Sequence, residues 1–134
     1  MKEFELTDAM LTMGGTFYPK GYAFITFETE AMAHQVASEL ETSGAEAPQV
    51  MLLSPATILR KIGKIDGESE VDLPSVGTEG ATVLKYVQLA RQGHWAVMVE
   101  VPSDEFAEQL MVAARKAPFS YAQRYHLLAM EDLE

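Results

Sequence analysis

The feature that most constrains the fold of this chain is a strand–helix–strand pattern that occurs twice. The first copy opens on Gly21 and continues as a run of alternating strand residues, and the second copy opens on Gly93 in the same way. At an offset of 72 residues the two glycines coincide, and Ile25 falls on Val97. Self-similarity at a fixed spacing indicates one architecture used twice. We therefore expect two structurally equivalent units within the chain.

Two additional residues near Val101 change the offset to 74 in the second half of each unit. At this offset Thr29 falls on Ser103, and further positions agree, namely Ala33 with Ala107, Gln35 with Gln109, Val36 with Leu110, Gln49 with Gln123, Leu53 with Leu127 and Leu59 with Leu133. A chain of 134 residues fits one compact domain. We predict a single domain over 1–134, with a lead-in at 1–20, a first βαβ unit at 21–59, a helical connection at 60–92 and a second βαβ unit at 93–134.

Each unit carries local signals for a strand followed by a capped helix. The alternation of residues 22–27 predicts the first strand, and Thr29 and Ser103 are suitable helix N-caps. Second strands are expected at 49–53 and at about 120–128, and Ser54 followed by proline predicts a short helix that ends at Gly63. A third helix in the connection has predicted core positions at Ala81, Leu84, Val87 (or Tyr86) and Leu89.

The most economical arrangement of these elements is a ferredoxin-like α+β fold. In this arrangement the first strands of the two units, 22–27 and 94–101, lie antiparallel at the sheet centre, and the second strands lie at the edges. Right-handed crossovers then place both repeat helices on one face of the sheet. A flavodoxin-like parallel sheet is the alternative, although four strands are few for that fold.

The alternation assigns the strand residues to two faces of the sheet. The face towards the repeat helices receives Ala23, Ile25, Phe27, Trp95, Val97 and Val99. The opposite face is too apolar to be left in water, and the middle helices, the lead-in or a second subunit are alternatives for covering it. We expect a homodimer, with a further protein partner as an alternative. The residues that we take as a ligand or interface surface are Tyr22, Phe24, His94, Met98 and Tyr125.

Composition excludes several classes of protein. Without cysteine the chain has no disulfide, no thiol catalysis and no thiolate metal site. No apolar run approaches the ~20 residues of a membrane span, and the N-terminus lacks the order of a secretory signal, so a cytoplasmic location is expected. Twenty acidic and ten basic residues give a net charge of −10, which favours solubility and opposes binding to nucleic acid or anionic membranes.

One motif nevertheless fits a nucleic-acid module. Residues 20–27 match the RNP1 pattern of RNA-recognition modules, in which Tyr22 and Phe24 would stack on bases and Lys20 would meet a phosphate. The context argues against this interpretation, because RNP1 lies on the third strand of that module and only twenty residues precede the motif here. The second unit also lacks the aromatic pair, since it has His94 and Ala96 at the equivalent positions.

Other patterns give no catalytic, cofactor or metal site. The three histidines lack metal-ligand spacing, and no phosphate-binding or nucleophile motif is present. An alternating acidic run departs from the calcium-binding loop, so we interpret it as solvated: Asp66, Glu68, Glu70 and Asp72. Ser120 has no histidine close in sequence, which leaves spatial pairing open. The one basic cluster of the sequence is Arg60, Lys61 and Lys64.

The chain resembles small bacterial proteins of uncharacterised function that have a ferredoxin-like α+β domain. Its last forty residues, with a capped helix after Pro102 and the closing run from Tyr125 to Leu133, are similar to bacterial general-stress proteins. The chain departs from them in lacking a glycine-rich hinge. The resemblance implies a bacterial cytosolic accessory protein and carries over no catalytic residue.

Together these observations predict a non-catalytic accessory or stress-related protein with an interaction or regulatory role. The first alternative is a small-molecule binder, or an enzyme of the dimeric α+β barrel type, with a pocket between the sheet and the middle helices near Tyr22, His94 and Tyr125. The second alternative is RNA binding through Tyr22 and Phe24.

Overall fold

The computed structural model describes residues 2–12, 16–42, 49–63, 77–126 and 129–133, and over these the chain is an α+β protein. The acidic run at 66–72, Lys64 and Leu127 lie outside the described residues. The strands are β1 (Lys2–Glu3), β2 (Tyr22–Phe27), β3 (Val50–Leu53), β4 (Trp95–Glu100), β5 (Phe119–Tyr125) and β6 (Met130–Asp132). The helices are α1 (Glu30–Thr42), α2 (Pro55–Thr57), α3 (Gly77–Arg91) and α4 (Asp104–Ala114), with a 3-10 turn at Asp8–Met10 and a π-helical turn at Ile58–Ile62.

The six strands form one sheet in the order β1-β3-β4-β2-β5-β6. β2 pairs antiparallel with β4 at the centre, β3 and β5 flank them antiparallel, and only β1 runs parallel to its neighbour β3. The antiparallel centre rules out the flavodoxin-like alternative. The placement of β3 and β5 at the edges is wrong, because the lead-in adds β1 beside β3 and the chain reverses after Tyr125 to add β6 beside β5.

One face of the sheet packs against α1 and α4. Both helices begin at the predicted caps, since Thr29 Oγ1 accepts from Met32 N at 3.2 Å and Ser103 Oγ accepts from Phe106 N at 3.1 Å. Their inward positions recur every three or four residues, as an amphipathic helix requires. The hydrophobic core between these helices and the sheet includes all six sheet residues predicted for this face, and Trp95 among them is only partly buried.

The opposite face of the sheet is covered by the chain itself. α3, the π-helical turn and the lead-in pack over it and bury Phe24, Ala96 and Met98 completely. The lead-in contributes buried side chains of its own, namely Phe4, Met10, Phe17 and Tyr18. The apolar face that motivated the homodimer is therefore closed within one chain, and the homodimer stays a prediction without that reason.

Helix α3 matches only part of its predicted core face. Val87, Tyr86 and Leu89 are buried as expected. Ala81 and Leu84 were also predicted to be inside but face solvent, and Val83 is buried in addition. The helix has apolar residues around most of its circumference, so spacing alone does not fix which side is inward. Tyr86 in particular is inside, where its ring lies 4.1 Å from that of Phe24.

The Tyr86 hydroxyl is buried and shares a 2.7 Å hydrogen bond with the Tyr125 hydroxyl. Burial, followed by the negative charge that Tyr125 would carry, raises the pKa of Tyr86 well above its ordinary value. Above about pH 10 an unfolded tyrosine releases its proton, whereas folded Tyr86 keeps its proton. The contribution of protonated Tyr86 to the free energy of unfolding is therefore complete below about pH 10 and is lost as the pH rises.

We expect the free energy of unfolding to fall above about pH 10 by up to ~1.4 kcal/mol per pH unit from this residue alone. Tyr86→Phe should remove that component of the slope, although the lost hydrogen bond lowers stability at neutral pH by about 1–3 kcal/mol. Urea unfolding of both proteins between about pH 8 and 11 measures the difference. Parallel pH profiles would contradict the prediction.

Candidate functional site

The residues predicted to form a ligand or interface surface do not lie together on the outside. Phe24 and Met98 are completely buried and Tyr125 is 1% exposed, all three within the core under α3. Tyr22 is half-buried at the start of β2, and its hydroxyl donates to Gln49 Oε1 at 3.2 Å. His94 is half-buried just before β4. A ligand could reach Phe24 and Met98 only by displacing α3 or the lead-in, whereas Tyr125 also lines a surface hollow.

The burial of Phe24 also decides what the RNP1-like run does in this fold. A base can stack on an aromatic ring only where one face of that ring is open. Here the ring is enclosed by Tyr86 and by Phe17, whose centroid lies 5.8 Å away. The run therefore supplies a strand to the core, and its pattern follows from the packing of β2.

The structure pairs Ser120 with His94, two residues that are far apart in sequence. His94 Nδ1 lies 2.7 Å from Ser120 Oγ, which is in turn 2.9 Å from the buried Thr26 hydroxyl. A serine nucleophile also needs donors for an oxyanion. The backbone N–H groups of Gly93 and His94 are already occupied, since Gly93 N donates to Ala90 O and His94 N to Leu89 O. The Ser120–His94 contact links the start of β4 to β5 across Thr26 of β2.

Two hollows in the described surface share Arg124 of β5. A first hollow of about 730 Å³ lies between α4 and the β5–β6 hairpin. Its apolar lining includes Ala107, Met111 and Leu133, and its charged lining comprises Asp104, Glu108, Glu131, Arg115 and Arg124. A second hollow of about 390 Å³ adjoins it and is lined by Lys20, Gly21, Val101, Arg124, Tyr125 and His126. We call these two hollows, which share Arg124, the Arg124 site.

The second hollow brings together basic residues from distant parts of the chain. Lys20 comes from the turn before β2, whereas Arg124 and His126 come from the end of β5. In a chain of net charge −10, the lining of this hollow includes two basic side chains and a histidine but no acidic side chain. An anionic group is therefore the ligand that this hollow favours electrostatically.

Arg124 is held in place by carboxylates. Its side chain is only 13% exposed, and its Nη1 lies 2.8 Å from Asp104 Oδ1 and 4.0 Å from Glu131 Oε1. Glu131 also lies 2.8 Å from His126 Nε2. Asp104 is 92% exposed, so its pair with Arg124 is worth at most about 1 kcal/mol and exchanges readily for a better-placed ligand anion.

Backbone geometry fixes the walls of the second hollow. Gly21 adopts φ +84°, a left-handed conformation that glycine reaches without strain. Its N–H donates to Tyr125 O at 2.9 Å, and its carbonyl accepts from Val101 N at 2.8 Å. Tyr18 Oη donates to His126 O at 2.7 Å, which secures the end of β5 against the lead-in.

Sequence reasoning found Tyr125 but missed the other groups of the Arg124 site. Lys20 was predicted to meet a phosphate only as part of the RNP1-like run, and His126 was one of three histidines without metal-ligand spacing. Their proximity depends on the pairing of β2 with β5, which joins residues about a hundred positions apart. The available signal was charge, because Lys20, Arg124 and His126 are basic residues at strand ends in an acidic chain.

Two further properties concern the described part of the chain only. Its histidine, aspartate and glutamate side chains include no group of three that could hold a metal ion. None of its helices combines the length and apolar character needed to cross a membrane. Comparisons of the sequence with protein-family models and with curated proteins, and of the fold with solved structures, found no match to this chain.

Proposed function

We propose that the protein is a non-catalytic binding protein whose ligand is an organic acid with an apolar portion. The observation that carries this proposal is the position of Arg124, which borders both hollows. A carboxylate or phosphate group in the second hollow meets Lys20, Arg124 and His126. The rest of the ligand lies in the first hollow, on the surface formed by Ala107, Met111 and Leu133.

The chemistry of Arg124 favours an acid group over other anions. A guanidinium donates five N–H groups in a planar fork that matches the two oxygens of a carboxylate. Only Nη1 is within hydrogen-bond distance of Asp104, and Glu131 is farther away. A ligand that forms a bidentate contact gains about 1.5–3 kcal/mol and offsets the loss of the exposed Asp104 pair.

The test is binding of a panel of aliphatic and aromatic carboxylic acids and phosphate esters, by thermal shift and then calorimetry. At least one member should raise the melting temperature, and Arg124→Met should weaken its binding by about 10–100-fold. Methionine keeps the packing of the side-chain stem while removing the charge. Arg124→Lys should bind the acid with an affinity between those of the parent protein and Arg124→Met, because lysine keeps the charge but loses the planar guanidinium geometry.

The matched control is Arg91→Met, which removes the same charge from an exposed position on α3, away from the Arg124 site. This variant should bind the acid as the parent protein does. Equal binding by the Arg124→Met variant, or failure of every acid in the panel, would contradict the proposal.

We also propose that the fold is ferredoxin-like and derives from duplication of a βαβ unit. The order β3-β4-β2-β5 within the sheet supports this arrangement. Gly21 and Gly93 have matching φ values of 84° and 88°. At the offset of 74, the buried residues of α1 fall on buried residues of α4, namely Ala33, Val36, Ala37 and Leu40 on Ala107, Leu110, Met111 and Ala114.

The sheet register supports the same proposal and changes one part of the repeat alignment. Ile25 and Val97 coincide at the offset of 72 and are also direct cross-strand partners, as expected at a twofold axis between the copies. The pairings of β3 with β4 and of β2 with β5 relate Leu53 to Gln123, an offset of 70. The register therefore moves the partner of Leu53 from Leu127 to Gln123 in the repeat alignment.

A further inference from the structure

The acid-binding end of the Arg124 site already holds a carboxylate of the protein itself. Glu131 Oε1 lies 2.8 Å from His126 Nε2, and the same oxygen lies 4.0 Å from Arg124 Nη1. His126 and Arg124 both line the second hollow, whereas Glu131 lines the first. One protein oxygen therefore lies at the boundary of the two hollows, where an oxygen of a bound acid would bridge Arg124 and His126.

The pairing of β6 with β5 explains why Glu131 reaches this position. Glu131 is directly opposite Arg124 in the antiparallel register, so the two side chains extend from the same face of the sheet. The backbone of β6 is held independently of the Glu131 side chain, since Leu133 N donates to Ala122 O at 3.1 Å. The carboxylate can therefore leave by rotation of side-chain bonds while the strand stays paired.

We propose that Glu131 is an internal competitor for the acid group of the ligand, so that the site is autoinhibited until an acid displaces this side chain. The inference rests on the proposed function, because it concerns the same Arg124 site. On binding, the acid group takes the place beside Arg124 and His126. The Glu131 side chain, which is already 52% exposed, turns to solvent. One carboxylate then replaces another beside the basic groups.

Internal competition also makes the site selective among anions. A tethered carboxylate acts at a high effective concentration, so an anion that meets His126 alone gains no advantage over Glu131. An acid group that also forms paired hydrogen bonds with the Arg124 guanidinium does gain one, because Glu131 is too far from Nη1 for a hydrogen bond. Glu131 therefore favours carboxylate or phosphate ligands over monatomic anions such as chloride.

The experiment is titration of the protein with hexanoate near neutral pH, followed by NMR through the amide signals of Lys20 and Gly21 in the second hollow. Glu131→Gln should bind hexanoate about 2–5-fold more tightly than the parent protein, the factor that corresponds to an exposed ion pair of at most ~1 kcal/mol. Glu131→Asp should show a similar gain, because aspartate keeps the charge but its shorter side chain falls short of His126. The same spectra show that each variant is folded.

The matched control is Glu105→Gln, which removes the same charge from an exposed residue of α4 that lines neither hollow. This variant should bind hexanoate as the parent protein does. If Glu131 only positioned His126 and Arg124, both Glu131 variants would bind hexanoate more weakly. If only the charge of Glu131 mattered, Glu131→Asp would bind as the parent protein does.

Either of these results, or equal binding by the parent protein and Glu131→Gln, would overturn the internal competition while leaving the proposed function intact. Absence of hexanoate binding by the parent protein and all three variants would also overturn it. The wider panel of acids then decides the proposed function separately.

Discussion

Replacement of Phe24 by alanine is expected to lower the free energy of unfolding by about 3–5 kcal/mol. The ring is completely buried, and it packs against Tyr86 at 4.1 Å and Phe17 at 5.8 Å between ring centroids. Truncation removes this contact and leaves a cavity in a closed layer of core. Urea unfolding monitored by circular dichroism measures the change by linear extrapolation.

The neighbouring aromatic residue Tyr22 is the control for this prediction. Tyr22 is half-buried and makes a peripheral hydrogen bond to Gln49, so Tyr22→Ala should cost about 1 kcal/mol or less. If both rings lay on an open sheet face, as RNA binding would require, both substitutions would lower the free energy of unfolding by similar, small amounts. A Phe24→Ala cost below about 1 kcal/mol would therefore contradict the closed core and return the RNP1-like run to consideration.

The parts of the fold that could be predicted from the sequence depend on short-range signals. Strand alternation placed Ala23, Ile25 and Phe27 on the face that meets α1 and α4, as found. The helix starts predicted at Thr29 and Ser103 are correct. Each cap hydroxyl accepts a hydrogen bond from the backbone N–H three residues later, which is a local interaction. Such signals require no knowledge of distant segments.

The parts that could not be predicted depend on which segments pack together. Alternation identified an apolar second face but carried no information on what covers it. The lead-in was one of three alternatives for this cover, and the sequence could not choose it because Phe4, Met10 and Phe17 follow no helical or strand period. The α+β class was therefore predictable, whereas the covering of the sheet and the two edge strands were not.

The Arg124 site illustrates the same distinction at the level of chemistry. Its basic residues are inconspicuous in sequence, since no motif links Lys20 to Arg124 or His126. They become neighbours because β2 and β5 are paired, with Ala23 opposite Arg124. The pairing of Ser120 with His94 has the same origin, which is why spacing along the chain could neither propose nor exclude it.

Replacement of Phe17 by alanine is expected to destabilise the protein by about 3–5 kcal/mol, which tests whether the lead-in is part of the core. Phe17 is 2% exposed, and its ring meets those of Phe4, Phe24, Tyr86 and Tyr125 edge-on at 5.8–6.5 Å. Phe17→Leu should cost less, because it retains most of the apolar volume and loses the aromatic contacts. Thr7→Ala, at an exposed residue that makes no side-chain cap hydrogen bond, is the control and should change stability by less than about 0.5 kcal/mol.

A double-mutant cycle on Phe17 and Phe24 separates two explanations for a large effect. If the lead-in packs directly on β2, the two substitutions should be non-additive, with a coupling of about 0.5–1.5 kcal/mol for the edge-to-face pair. If the lead-in did not pack on β2, the free-energy changes of the two substitutions would be additive. Strict additivity, or a Phe17→Ala cost below about 1 kcal/mol, would mean that the sheet face is covered without the lead-in. Homodimerisation through that face would then regain its physical basis, because the surface around Phe24 would need another cover.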